Sequence, residues 1–302
     1  MRAESDFIAY RATEKLAGRS VLALAPHPDD EVFGCGGALA KHLQAGDSVS
    51  VIIVTDGAFD QPDDIRSAHI ALREAESIAA SKLIGYAKLS FLRYRDRELQ
   101  NSADLVGNLT AILHSMEVDL VYVSSIDEMH PDHLALAYAT LHAVASCSRD
   151  VSVAMYEVGR PLRYVSHLVD ISDVFPIKSD AMRCFRSQLS NQSYDRHIVA
   201  LNAFRTYTLG KDVLYAEAFW VVDKHALGDL IAKIPEEFLL SNHDFGNSVG
   251  KPAHGNLDQE AKIAELENQL QRIYRSNTWR VMASLRGLRR VVEQAVHRII
   301  GA

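Results

Sequence analysis

The chain has 302 residues, 48% of them hydrophobic, and a formal net charge of -7, which is enough apolar material for one large domain with an appendage or two smaller domains. The opening Met1-Arg2-Ala3-Glu4-Ser5-Asp6 lacks the apolar core of a secretion signal, and no stretch approaches the roughly 20 apolar residues that span a bilayer, so a cytoplasmic protein is expected. Cys35, Cys147 and Cys184 are odd in number and far apart, which argues against a disulfide framework and a thiolate zinc site, and no nucleic-acid partner is expected.

In chain order, β-rich runs at 21–24, 48–55, 89–92, 120–124 and 151–157 alternate with amphipathic helical patterns at 37–43, 65–83, 103–116 and 134–145. This alternation predicts an α/β fold, a Rossmann-like and mostly parallel sheet with helices on both faces. Ligands in such sheets bind beyond the carboxyl ends of the strands, where the strand order reverses. A helix-like stretch at 177–189 and a late strand at 215–222 complete a domain over 1–222. Residues 223–256 read as a connecting segment, with a Gly-, Asn-, His- and Pro-rich linker at 241–256. A helical extension follows at 257–302, where Ile263, Leu266, Leu270 and Ile273 keep a 3, 4, 3 spacing.

The densest chemistry follows the first long apolar run, as Ala25-Pro26-His27-Pro28-Asp29-Asp30-Glu31, and a second group, His130-Pro131-Asp132-His133, follows the run ending at Val123. An imidazole and three carboxylates in five residues would repel and desolvate one another unless solvent or a cation stabilised them. His27 and Asp30 can turn toward one point as the strand ends, and His133 can supply a third ligand from the other loop. Two imidazoles and a carboxylate with an open position suit catalytic Zn2+ and also accept other divalent ions. An ion held there lowers the pKa of water toward about 7. Asp29 is then free to act as general base, His130 can stabilise an oxyanion as an imidazolium or protonate a leaving amine, and Asp132 can fix an imidazole tautomer or cap the following helix. The reaction class is metal-assisted hydrolysis of an amide or ester. Gly34, Gly36 and Gly37 do not fit the G-x-G-x-x-G pattern of a dinucleotide site.

The stretch APHPDDEVFGCGG with MHPDH downstream resembles the PIG-L/LmbE-like zinc deacetylases, over roughly residues 18–222. Thr55-Asp56-Gly57, Arg73 and Glu76, Asp96, Lys178 through Ser187-Gln188, and the segment at 215–219 add to the resemblance. It implies removal of an N-acetyl group from an N-acetylglucosamine conjugate, with zinc on His27, Asp30 and His133, Asp29 as base and His130 as oxyanion stabiliser or acid. Arg73 and Asp96 match positions that hold sugar hydroxyls in some relatives. Arg73 also has a plainer reading, an ion pair on the helix surface with Glu76. Where some members carry a tyrosine two residues before the first histidine of the second motif, this chain has Glu128.

From Gln271 onward seven arginines face one acid, Glu293, so the tail carries about +6 and the rest about -13. The segment SNTWRVMASLR resembles a terminal segment of bacterial surface-polysaccharide glycosyltransferases. Trp279, Val281, Met282, Leu285 and Leu288 can line an apolar stripe beside the arginines. The tail is thus expected on the inner membrane face, on a protein partner, or packed on its own domain or a symmetry mate in a homo-oligomer. The expected substrate is an N-acetylated sugar, nucleotide- or lipid-linked, in surface glycan or glycolipid synthesis. The alternatives are a deacetylase of a thiol-precursor glycoside or other amide conjugate, and a non-catalytic scaffold in a glycan-assembly complex.

Overall fold

The structure is a computed structural model, and it describes residues 8–59 and 61–234. The linker at 241–256, the 3, 4, 3 apolar spacing and the basic tail lie outside the described residues. In chain order the elements are β1 (Ala12–Thr13), β2 (Ser20–Ala25), α1 (Asp30–Gln44), β3 (Ser48–Thr55), α2 (Asp63–Ile84), β4 (Lys88–Tyr94), α3 (Ala103–Ser115) and β5 (Leu120–Ser124). There follow α4 (Pro131–Ser146), β6 (Ser152–Tyr156), β7 (His167–Asp170), α5 (Phe175–Met182), α6 (Arg186–Leu189), α7 (Tyr194–Phe204), β8 (Ala216–Asp223) and α8 (Lys224–Ile231).

The strands form one sheet in the order β1-β7-β8-β6-β5-β2-β3-β4. Every pairing is parallel except those of β8, which runs antiparallel to both β6 and β7. Along β2 the side chains alternate: Val21, Ala23 and Ala25 enter one apolar core, and Leu22 and Leu24 enter the other. A strand buried on both faces must read as a continuous apolar run, which is why β2 and β5 stand out in the sequence. The chain leaves β2 toward β3 on one side and later returns to place β5 on the other. The order therefore reverses between β2 and β5, and the two His-rich motifs emerge side by side at that reversal.

Two expected boundaries move. The first helix starts at Asp30 rather than near residue 37, because its glycines serve close packing instead of breaking it. A Cβ on Gly34 would lie 2.2 Å from the ring of Tyr156, and one on Gly37 would lie 2.7 Å from Ile171, so only glycine lets α1 settle this close to its neighbours. The single helix expected over 177–189 is two, α5 and α6, since Phe185 turns fully into the core between them and packs edge-on against Phe33 with ring centroids 5.7 Å apart. The segment at 223–234, read as connecting chain, contains α8, whose Leu227 is wholly buried in the core beside α4. The short strands β1 and β7 and helix α7 were not anticipated either, each having too few apolar repeats to show a period.

A buried ion pair ties α1 to the far half of the sheet. Lys178 Nζ lies 2.6 Å from Glu217 Oε1 and donates to Phe33 O and Asn202 Oδ1, while Glu217 accepts the N–H groups of Gly37 and Ala38 at 2.8 and 2.7 Å. Both charges are thus fully hydrogen-bonded, the condition under which a buried pair is tolerated.

Candidate metal centre and active site

The first motif leaves β2 in a turn that feeds directly into the N-terminus of α1. Asp29 occupies the N-cap position with a φ of 134°, a conformation that costs a non-glycine residue about 1–3 kcal/mol and persists only where surrounding contacts impose it. Those contacts are present. The Asp29 N–H donates to Glu31 Oε2 at 3.0 Å, its carbonyl accepts from Val32 and Phe33, and Arg73 donates to Pro28 O at 2.5 Å and to Asp29 Oδ2 at 3.3 Å. Arg73 also donates to Gly57 O, so the Thr55-Asp56-Gly57 loop is fastened to the motif by the same guanidinium.

Three atoms converge at the centre. His27 Nδ1, His133 Nε2 and Asp30 Oδ2 are mutually separated by 3.1–3.2 Å. His27 Nε2, on the opposite edge of the ring, lies 3.2 Å from both Asp132 Oδ2 and Asp96 Oδ1. Those carboxylates only accept, so they favour a proton on Nε2 and leave Nδ1 turned toward Asp30 and His133. Looser groupings, His27 with His130 and His133, and His27 with Asp96, His130 and Asp132, also bring ligand atoms within 4.8 Å of one another. The ligand atoms of His27, Asp30 and His133 lie closer together than that and could hold a metal ion between them.

The electrostatics fit a cation. Burial works to lower the pKa of His27, but Asp132, Asp30 and Asp96 outweigh it and hold the ring well above its usual value. Burial works to raise Asp30, yet the His133 and His27 rings hold its carboxyl far below the usual range. Two imidazoles and one carboxylate this close together could hold a small divalent ion. Burial raises Asp29 to about 7 against the pull of Arg73, keeping it a proton acceptor poised near neutrality. Glu31 is not a ligand: its side chain turns inward, accepts from Tyr86 at 3.3 Å, and is pushed to about 8 by burial and by Asp29.

His130 caps α4, its Nδ1 accepting from the Asp132 N–H at 3.2 Å, so its own proton sits on Nε2. Burial, and then His27 and His133, push it down to about 4. Asp132 does not cap that helix. It is fully buried and bridges three segments, taking the His27 ring together with the N–H groups of Arg97 at 2.6 Å and Leu99 at 3.2 Å.

The structure also reassigns Arg73. It is buried and paired with Asp29, not on the helix surface with Glu76, whose carboxylate instead accepts from the Ser187 N–H and hydroxyl. Asp96 stands beside His27, with its other oxygen accepting from Phe59 N–H at 3.4 Å. Glu128, at the position of the expected tyrosine, is buried; its Oε1 accepts from Val158, Gly159 and Arg160, and its Oε2 lies 3.8 Å from His133 Nδ1. Sequence reasoning missed these supporting roles of Arg73 and Glu128.

Comparison with known proteins agrees with this geometry. The PIG-L family model, described as GlcNAc-PI de-N-acetylase, matches residues 22–144, which include both His-rich motifs. The chain is 27% identical to a diacetylchitobiose deacetylase of Thermococcus kodakarensis over 59% of its own length and 73% of that protein. It is 25% identical to a probable N-acetyl-alpha-D-glucosaminyl L-malate deacetylase 2 of Bacillus anthracis, over 58% of this chain and 83% of the relative. Among solved structures, the N,N'-diacetylchitobiose deacetylase from Pyrococcus horikoshii superposes with a TM-score of 0.60 at 27% identity, covering 69% of this chain and 85% of that one. The family match spans both His-rich motifs, and over that stretch the chain is similar to the PIG-L/LmbE-like deacetylases.

Proposed function

We propose that this protein is a zinc-dependent N-deacetylase that hydrolyses the acetamide of an N-acetylated amino-sugar conjugate. The observation that carries the reading is the convergence of His27, Asp30 and His133 beside a strained, buried Asp29. His27, Asp30 and His133 would hold the metal, which when bound supplies Lewis-acid polarisation of the carbonyl and eases deprotonation of water. Asp29 takes a proton from the attacking water as its oxygen bonds to the acetyl carbon. His130 presents its Nε2–H to the oxygen on which negative charge develops. The C–N bond then breaks, the amine leaves with the proton that Asp29 accepted, and acetate is the second product. Asp132 and Asp96 hold the His27 ring, and Arg73 holds Asp29, so the reacting groups are oriented before substrate arrives.

Relatives named for chitobiose and glucosaminyl malate deacetylation support an amino-sugar substrate. A lipid- or nucleotide-linked sugar in surface glycan assembly is the finer reading, and its support is the basic apolar-striped tail of the sequence. No helix among the described residues is long and apolar enough to cross a membrane. The test is release of acetate from free, nucleotide-linked and lipid-linked N-acetylated sugars by protein that has been chelated and then reloaded with zinc. Zinc-dependent release from one class establishes the reaction and names its substrate. No release from any of them, with metal shown to be bound, overturns the proposal.

A further inference from the structure

The two imidazoles of the candidate metal centre are supported unequally. Behind the His27 ring stand Asp132 and Asp96, each 3.2 Å from Nε2. The corresponding nitrogen of His133, Nδ1, is buried and has no hydrogen-bond partner among the described residues. Leaving such a group unpaired costs about 1–3 kcal/mol. The charged group that faces it is Glu128, whose Oε2 lies 3.8 Å away, with both side chains nearly closed to water at 7% and 1% exposure. That separation is longer than a hydrogen bond, so the ring and the carboxylate stand opposed without being joined.

Each partner is fixed from its other side. Glu128 Oε1 accepts the N–H groups of Val158, Gly159 and Arg160 at 2.8, 3.0 and 3.3 Å, which spends that oxygen on the chain after β6. Oε2 is left turned toward His133, with a long contact from the Met129 N–H at 3.4 Å. A Cβ on Gly159 would press on that same oxygen at 3.0 Å, so a glycine there lets the chain close around the carboxylate without displacing it. The backbone of His133 is held too, its carbonyl accepting from the Ser124 hydroxyl at the end of β5 at 3.1 Å. With both backbones anchored, the orientation of the ring is decided by what its two nitrogens meet. A carboxylate needed only to anchor residues 158–160 has no reason to aim its second oxygen at a buried imidazole, whereas a metal-binding histidine characteristically gives its other ring N–H to such an oxygen.

Resting on the reading of His27, Asp30 and His133 as metal ligands, we infer that Glu128 is the positioning residue of the His133 ligand. Its Oε2 accepts the Nδ1–H when an ion is held, which leaves the Nε2 lone pair for that ion. Each imidazole of the centre then has a carboxylate behind it, and the one behind His133 is set in place by the three N–H groups of residues 158–160.

Glu128→Gln in the full chain is the sharp test, because the substitution keeps the shape of the side chain. The three N–H donors hold the amide oxygen at the place of Oε1, so the amide NH₂ occupies the place of Oε2 and meets Nδ1–H donor to donor. Competition with a chelator of known affinity should show zinc held about 10- to 100-fold more weakly than in the parent, with the urea midpoint of the metal-free protein little changed. NMR of zinc-loaded protein with isotopically labelled histidines gives a second readout. The parent should show a slowly exchanging Nδ1–H from His133, distinct from His27 with its proton on Nε2, and the variant should lose it. Equal zinc affinities, or a lowered urea midpoint at unchanged zinc affinity, would reduce Glu128 to an anchor for residues 158–160 and overturn the assignment. Should the variant fail to fold, the parent spectrum decides alone: a zinc-loaded His133 without a protected Nδ1–H overturns it equally. If the parent binds no zinc, the metal reading falls and the assignment with it. If zinc binds and Glu128→Gln weakens it, but no N-acetylated sugar is hydrolysed, the deacetylase reading falls and the assignment stands.

Discussion

Arg73 donates to Asp29 from beneath, 3.3 Å from Oδ2, while the same guanidinium nitrogen holds the Pro28 carbonyl at 2.5 Å. One side chain on α2 therefore fixes both the carboxylate of the candidate base and the backbone that sets its φ of 134°. If Arg73 acts by positioning the base, its loss shows in kcat rather than in KM. Arg73→Gln should lower kcat by about 10- to 100-fold through misplacement of the base, with KM and bound metal little changed. Arg73→Lys, which keeps the charge but loses the fork, should recover only part of the rate. A change confined to KM would restore Arg73 to the sugar-contact role suggested by resemblance.

Asp29→Asn keeps the shape of the carboxylate and removes its basicity. Zinc content measured by mass spectrometry should stay at the parent level while turnover falls by about 10²- to 10⁴-fold. Near-normal turnover would remove Asp29 from the reaction.

The ligand triangle predicts a graded response. His27→Ala and His133→Ala each delete a donor and should leave purified protein without stoichiometric metal. Asp132→Asn keeps all three donors but weakens the hold on the His27 Nε2–H, and should reduce metal affinity by about 10- to 100-fold. Competition with a chelator of known affinity reads the difference, and equal affinities in parent and Asp132→Asn would show that Asp132 does not orient the ring.

Lys178 and Glu217 are each completely buried and their charges compensate one another. Lys178→Met leaves an unpaired carboxylate in the core and should destabilise the domain by about 3–5 kcal/mol in urea unfolding. The double change Lys178→Met/Glu217→Gln should lose less than the sum of the singles, because the second substitution removes the stranded charge.

His42 is fully buried in α1, with Nδ1 at 2.8 Å from Asp47 and Nε2 at 3.0 Å from the Tyr122 hydroxyl. Burial lowers its pKa below the usual 6.5, only partly offset by Asp47. A folded-state value below the unfolded one means that the unfolded chain binds the extra proton more readily. The stability tied to a neutral His42 is therefore complete above about pH 6.5 and is lost as pH falls toward the folded-state value. Urea midpoints at pH 7.5 and 5.5 should thus converge between parent and His42→Gln on the acid side; a constant gap between them would show that His42 does not titrate on unfolding.

The residues legible in the sequence are those whose role is set by near neighbours. The runs of β2 and β5 stood out because a strand buried on both faces must be apolar throughout, and the two His-rich motifs because ligand types crowd a strand end. The parallel order, the reversal point and the set His27, Asp30 and His133 could be reasoned from those local patterns. The inward turn of Arg73 and the reach of Asp132 to a ring 105 residues earlier could not. Each depends on which distant segments the sheet order brings together, and on how completely water is then excluded from between them. Local spacing determines which groups stand at a strand end; only packing decides which partner each one meets, and therefore which proton it holds.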